Sequence, residues 1–210
     1  MLPVAGIVLL IKGGAFGQLL EDVFGANAGV VPVLMCAAVC LLASMNDMAA
    51  PSVSLEGKNL WLAQSLPVVP WQVLRAKLDV QLVLTGVPVL FCALCMVITL
   101  PGGALEKVLL VVVALLYTLL SALVALALGL KMPNLTWTNE TTPIKQSGCV
   151  MLSLFANWFY AIALGGLYFL CGRYLSAAAY LALAAAITAA VCALLLRWVK
   201  QRGTRIFAAL

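Results

Sequence analysis

Five long apolar stretches constrain the fold of this chain more than any other feature. They cover residues 28–45, 80–100, 108–130, 149–171 and 175–198. A helix needs about 20 mostly apolar residues to cross the hydrocarbon core of a bilayer, and each stretch approaches or exceeds that length. Only 9% of the residues are charged, whereas about 25% are charged in soluble domains. The sequence therefore predicts an all-α, polytopic membrane protein with one transmembrane domain over residues 1–210.

The first twenty residues give a weaker signal. Residues 1–11 are apolar but too short to span a bilayer, and they reach spanning length only if a helix continues through Lys12 to Leu20. They lack the basic start and the small-residue cleavage pattern of a signal peptide. We therefore expect five to six transmembrane helices, with residues 1–20 forming either the sixth span or an interfacial or re-entrant segment.

The basic residues predict the orientation of the chain. Nine of the twelve Lys and Arg residues lie in residues 46–79, in residues 131–147 and in the tail from Arg197. These three regions fall on one side of the membrane whether there are five spans or six. Because cytoplasmic loops carry an excess of Lys and Arg, we expect these regions and the C-terminus to be cytoplasmic.

The predicted spans carry little chemistry. No Asp, Glu, Lys or Arg lies near the middle of any of the five, which argues against an ion-coupled carrier. Asp47 and Asp79 lie at span ends, and we expect both to be interfacial anchors. The cysteines, including Cys92 and Cys95 of a C-x-x-C, are expected to act as small apolar side chains, because a low-dielectric helix disfavours the thiolate.

The signatures of an enzyme are missing. The sequence has no His, which excludes Ser-His-Asp triads and His-ligated zinc hydrolases. It also has no G-x-x-x-x-G-K-[ST] loop for nucleotide phosphates and no paired intramembrane aspartates. We therefore expect a protein that is not an enzyme, with no catalytic residues, no cofactor, no metal site and no nucleic-acid partner.

Residues 51–79 are predicted to form a cytoplasmic segment with a short interfacial helix between Ser54 and Ser65. Its apolar positions at helical spacing are Leu55, Leu62 and Leu66. Pro67 and Pro70 end this helix and begin the next one, which enters the span at Val80. A surface helix joined to a span through a proline turn can act as a lever. An interfacial anchor without a partner explains the same residues equally well.

Residues 131–147 form a second hydrophilic segment, bracketed by Pro133 and Pro143. It is polar and rich in hydroxyl groups. Such residues can cap helices and hydrogen-bond a partner. Their composition specifies no chemistry.

Two motifs in these segments resemble those of a large branch of the bacterial ABC exporter permeases of the second type. The first motif is Ser54-Leu55-Glu56-Gly57-Lys58-Asn59-Leu60-Trp61, followed by Ser65-Leu66-Pro67-Val68 and preceded by Ser44-Met45-Asn46. The second consists of Pro133, Trp137, Asn139, Glu140, Lys145 and Gln146. The resemblance covers roughly residues 45–147, and the flanking spans agree only in hydropathy.

The resemblance implies a permease subunit of an exporter in the bacterial plasma membrane, driven by a separate cytoplasmic ATP-binding protein. It implies that one group of residues couples to that protein: Ser54, Glu56, Lys58, Trp61 and Pro67. The second group would add a further cytoplasmic contact: Trp137, Asn139, Glu140, Lys145 and Gln146. Family members are about twice as long, and this chain resembles their C-terminal half. That implies a homodimer, pairing with a missing N-terminal half, or a truncated gene product. A secondary carrier and a non-transporting membrane scaffold remain the alternatives.

Overall fold

The computed structural model describes residues 2–8, 10–12, 30–60, 65, 67–99, 103–135, 137, 139, 141, 147–172 and 174–210. Within these ranges the chain is helical and contains no β-strand, which confirms the all-α prediction. The helices are α1 (Leu2–Lys12, except residue 9), α2 (Val30–Ser44), α3 (Pro70–Thr99), α4 (Ala104–Lys131), α5 (Gly148–Cys171), α6 (Ala177–Trp198) and α7 (Thr204–Ala209). A π-helical turn, Val199–Gly203, joins α6 to α7 without a break.

Four helices in the described part of the chain are long and apolar enough to cross a membrane. They are α3, α4, α5 and the continuous helix Ala177–Ala209. The helices α1 and α2 are apolar but shorter, and α2 has 15 residues. The part of the predicted sixth span beyond residue 12 lies outside the described residues, as do the first two residues of the predicted 28–45 span.

The helix α3 begins ten residues before the predicted span because nothing in the sequence interrupts it. Pro70 occupies the first helical position, which needs no N–H donor. Gln72 accepts a hydrogen bond from the Val69 N–H at 3.3 Å, as in half of a capping box. With 30 residues, α3 is about 45 Å long. It therefore exceeds the hydrocarbon thickness and carries its polar first turns beyond it.

The helix α4 lies at the centre of the bundle. In its most apolar window, 56% of the residues are buried, against 28–33% for the other three long helices. Those three instead expose large apolar side chains, among them Val83, Phe159, Ile162 and Leu194. Such an outward apolar surface is what a lipid environment requires.

One end of the bundle, which we call the basic end, brings together the start of α3, the finish of α4, the start of α5 and the tail. A single buried cluster there includes Leu74, Leu130, Cys149, Val199 and Phe207. The exposed basic residues of this end are Arg75, Lys131, Arg197, Lys200, Arg202 and Arg205. The opposite end has its own buried apolar cluster, built from α2, α3, α4, α5 and the first turns of α6.

The predicted helix between Ser54 and Ser65 takes a different form. Ser54–Asn59 is a 3-10 helix that is interrupted at Gly57, where φ is +47° and ψ is −122°. Residues with a side chain rarely adopt that backbone conformation, whereas glycine adopts it readily. Leu55 is exposed, while its neighbours Val53 and Leu60 are buried. Leu62 and Leu66 lie outside the described residues.

Candidate functional site at the basic end

Residues 45–60, which we call the inserted segment, enter the bundle after α2 instead of lying on its surface. Gln81 of α3, which is only 3% exposed, holds the segment through both atoms of its side-chain amide. Its Nε2 donates to the Asn46 carbonyl at 2.6 Å, and its Oε1 accepts from the Met48 N–H at 2.8 Å. The Asn46 side chain donates to Thr85 at 3.0 Å. These bonds satisfy backbone groups that the membrane-facing part of a bundle cannot leave unpaired.

A glycine of α4 allows this close approach. At Gly129, a Cβ would overlap the carbonyl oxygen of Ala50. The same oxygen accepts a weak hydrogen bond from the Cys149 thiol of α5 at 3.8 Å. Ala49, Ala50 and Val53 are almost completely buried as a result. The inserted segment is therefore in contact with α3, α4 and α5 at once.

Glu56, one of the predicted coupling residues, is bound within the chain. Lys77 of α3 donates to Glu56 Oε1 at 2.7 Å and to the Ser52 carbonyl at 2.8 Å. The Lys77 side chain is 13% exposed and the Glu56 side chain is 23% exposed. A partly buried ion pair with an additional hydrogen bond has a fixed geometry, unlike an exposed pair. Glu56 therefore attaches the inserted segment to α3.

The two predicted motifs meet at Ser54. The Trp137 indole N–H donates to the Ser54 carbonyl at 2.6 Å, and the Asn134 N–H donates to the Ser54 hydroxyl at 3.0 Å. The Trp137 ring also lies 3.0 Å from the position that a Cβ would take at Gly57. Gly57 is thus required both by its backbone angles and by the ring packed against it.

The other predicted site residues make none of these contacts with Ser54 or Lys77 in the described part of the chain. Pro67 is exposed before α3, and the Asn139 side chain accepts from the Thr141 N–H at 3.1 Å. Four predicted residues lie outside the described residues: Trp61, Glu140, Lys145 and Gln146. The side chain of Lys58 also lies outside them. Sequence reasoning missed Gln81, Thr85 and Lys77. Gln81 and Thr85 are polar residues spaced four apart in an otherwise apolar helix, and this spacing could have indicated a polar contact on one helix face.

Asp47 and Asp79 differ, although both were predicted to be interfacial anchors. The Asp79 side chain is 59% exposed and lies 3.7 Å from Arg75, as an anchor would. The Asp47 carboxyl turns into the bundle instead, with Oδ2 buried and Oδ1 accepting from the Ala50 N–H at 3.2 Å. Burial raises the pKa of Asp47, while the Ser153 hydroxyl and the N–H groups of the loop lower it by a smaller amount. The prediction is wrong for Asp47 because the inserted segment folds inward.

Three apolar side chains of the chain segments at the basic end are exposed. Leu55 is 37% exposed, Val68 is 43% exposed and Val69 is 61% exposed. Leu55 belongs to the inserted segment, and the two valines directly precede α3. We call these three residues the exposed edge. They are accessible to a partner, whereas Ser54 and most of Glu56 are not.

A family described as "Membrane protein of 12 TMs" matches residues 23–197 of the chain. The chain belongs to this family. No curated protein and no solved structure matches it. The match includes α2 through α6 and both hydrophilic segments, and it establishes a multi-pass membrane protein. The family description counts twelve spans, whereas the described part of this chain has four helices of spanning length and two shorter apolar ones.

Proposed function

We propose that this protein is the permease subunit, or half-subunit, of an ATP-driven ABC exporter, and that it couples to a separate ATP-binding protein at the basic end. The observation that carries the proposal is the attachment of both resembling motifs to one another and to α3. Ser54 binds Trp137, and Glu56 binds Lys77. The proposed localisation is the bacterial plasma membrane with the basic end in the cytoplasm, as the excess of basic residues there indicates.

The contacts provide a path for force. A partner that pressed on the exposed edge would move the inserted segment, which is bound to α3 at Lys77, Gln81 and Thr85. These three positions are one helical turn apart, so the load is distributed over about two turns of a single helix. The contact between Ala50 and Gly129 extends the path to α4. We propose that nucleotide-driven closure of the partner tilts α3 in this way.

The geometry changes the role proposed for Glu56. We propose that Glu56 positions the inserted segment and that the exposed edge makes the contact with the ATP-binding protein. Lys58, Trp61 and Pro67 remain proposed contact residues, with Asn139, Glu140, Lys145 and Gln146 as the second contact. The chain itself is proposed to have no enzymatic activity. A homodimer, or pairing with a separate N-terminal half, would supply the remaining spans of the transporter.

Purification of the detergent-solubilised protein from its native host tests this proposal. We expect an ATP-binding protein with a P-loop to co-purify with the wild type and to hydrolyse ATP in the complex. The Leu55→Glu variant should insert into the membrane normally. The amount of ATPase that co-purifies with it should fall at least tenfold, because a charge replaces an apolar contact. Leu105→Glu is the matched control, since Leu105 is an exposed leucine at the opposite end, and it should retain the partner.

Other outcomes would favour the alternatives. Uptake into vesicles driven by an ion gradient without ATP would indicate a secondary carrier. A wild-type protein that co-purifies with no P-loop protein, and that shows no uptake, would indicate a scaffold. Glu56→Lys should also reduce co-purification, but with a loss of thermal stability that Leu55→Glu does not show, because only Glu56 is bound to α3.

A further inference from the structure

The Asp47 carboxyl is turned into the bundle between the inserted segment and α5. Its Oδ2 atom is buried and has no hydrogen-bond partner among the described residues. The Ser153 side chain of α5 is completely buried, and its hydroxyl likewise has no partner there. The two groups are neighbours, because the Ser153 hydroxyl stabilises the ionised carboxyl, yet no hydrogen bond of normal geometry joins them. Two adjacent buried oxygen atoms are thus left unsatisfied.

The elements around Asp47 offer no cation within ion-pair distance in the described ranges. Lys77 of α3 is bound to Glu56, and Asp79 of α3 is paired with Arg75 at the surface. The other titratable side chains of the packed helices are thiols and a phenol: Cys36 and Cys40 of α2, Tyr117 of α4 and Cys149 of α5. The basic residues after position 196 are exposed.

An ionised carboxylate in such surroundings is expensive. Burying a charge without a partner is energetically costly, and a carboxyl group avoids most of that cost by taking up a proton. We propose that Asp47 is a proton-binding site at the basic end of the bundle and that the neighbouring Ser153 hydroxyl tunes its affinity for the proton. The protonated Oδ2 donates to the Ser153 oxygen, and this single bond satisfies both atoms.

The bound proton would come from water at the basic end, because the Asp47 side chain as a whole is only half-buried. In the protonated form the inserted segment is attached to α5 by the Asp47–Ser153 bond. In the ionised form the carboxylate retains the Ala50 N–H and can accept from the Ser153 hydroxyl, but it bears the cost of a buried charge. Proton binding therefore removes the cost of the buried charge and reverses the direction of the Asp47–Ser153 hydrogen bond.

The inference does not depend on the proposed exporter function. It rests on burial and on the chemistry of two side chains, and it applies equally to a carrier or a scaffold. The direction of the pKa shift of Asp47 agrees with it, because burial outweighs the hydrogen bonds that lower the value. Asp79 is the matched control within the chain, as an exposed aspartate at the end of the same hydrophilic segment.

Thermal melting of the purified protein across a pH series tests the site. Below the ordinary aspartate pKa of 3.8, Asp47 is neutral in both the folded and the unfolded state, and Asp47→Asn should melt at nearly the wild-type temperature. As pH rises towards the raised folded-state pKa, the wild type loses stability that the variant keeps. The difference in melting temperature should therefore grow with pH in favour of Asp47→Asn and then level off.

Three results would overturn the proposal. The first is an Asp47→Asn variant that is less stable than the wild type at neutral pH, which would mean that a partner stabilises the ionised carboxylate. The second is a difference in melting temperature that does not vary with pH. The third is the same pH dependence in Asp79→Asn.

Infrared difference spectroscopy keeps the proposal testable if Asp47→Asn fails to fold. The wild type should show a protonated carboxyl band that persists above the pH range in which exposed carboxyl groups ionise. Ser153→Ala should shift the titration of that band to still higher pH, because the hydroxyl lowers the pKa of the carboxyl. Absence of the band, or its titration with the exposed groups, would contradict the proposal.

Discussion

The two ends of the bundle are stabilised by different interactions. At the opposite end, α2, α3 and α4 pack through apolar side chains such as Val33, Met96 and Val113. At the basic end, hydrogen bonds and an ion pair attach the inserted segment to α3, and its backbone lies directly against α4. Apolar packing is non-directional and tolerates sliding, whereas hydrogen bonds fix relative position. The difference is the one that the proposed transmission of displacement through the basic end requires.

The largest expected loss of stability comes from a substitution that blocks the close contact between the inserted segment and α4. Gly129→Ala places a Cβ against the Ala50 carbonyl, and because the backbone must move, we expect a loss of about 1–3 kcal/mol. Gly86→Ala is the control, since a Cβ at Gly86 would meet nothing within 4 Å, and it should be neutral or slightly stabilising. Thermal melting of the two purified variants compares them directly, and equal melting temperatures would contradict the close approach.

A smaller loss should follow from breaking the ion pair between the inserted segment and α3. Lys77→Ala leaves Glu56 partly buried without its cation, and we expect a loss of about 2 kcal/mol. Arg75→Ala breaks an exposed pair, whose side chains are 67% and 59% exposed, and should cost at most about 0.5 kcal/mol. A double-mutant cycle with Glu56→Gln should assign most of the Lys77 effect to the pair. Additive effects of the two substitutions would refute the assignment.

The smallest effects sharpen the comparison of the two ends. Trp137→Phe removes the N–H that binds Ser54, and Tyr180→Phe removes a hydroxyl that donates to the Leu164 carbonyl at 2.7 Å. Each substitution should cost about 1 kcal/mol. Hydrogen exchange followed by mass spectrometry should separate them. Trp137→Phe should accelerate exchange in residues 52–60 and Tyr180→Phe should not, and equal exchange in both would remove the distinction between the ends.

Hydropathy predicts the helices because a bilayer demands about 20 apolar residues and internal backbone hydrogen bonding. For that reason α4 and α5 lie close to their predicted positions. The inward turn of the inserted segment was not predictable from local pattern. It depends on contacts such as Trp137 to Ser54, whose residues are 83 positions apart, and on a glycine of α4 that has no sequence signal of its own.

The two aspartates show the same limit more sharply. Asp47 and Asp79 both follow or precede apolar runs, and a sequence pattern gives them the same interpretation. They differ because the chain around Asp47 is drawn into the bundle by Gln81, whereas Asp79 lies on the outer surface of α3. Motif resemblance named Ser54 and Trp137 in two separate groups, and the structure joins them by a hydrogen bond. The resemblance could not show that Glu56 is bound to Lys77.

Accessibility of the exposed edge from the two sides of the membrane tests the central claim most directly. The variant Leu55→Cys, with Cys171 replaced by Ser, would be treated with a membrane-impermeant maleimide in intact cells and in inside-out vesicles. Leu105→Cys in the same background reports the opposite end. We predict that residue 55 reacts only in inside-out vesicles and residue 105 only in intact cells. Labelling of residue 55 in intact cells would place the inserted segment outside the cell, beyond the reach of any cytoplasmic ATP-binding partner.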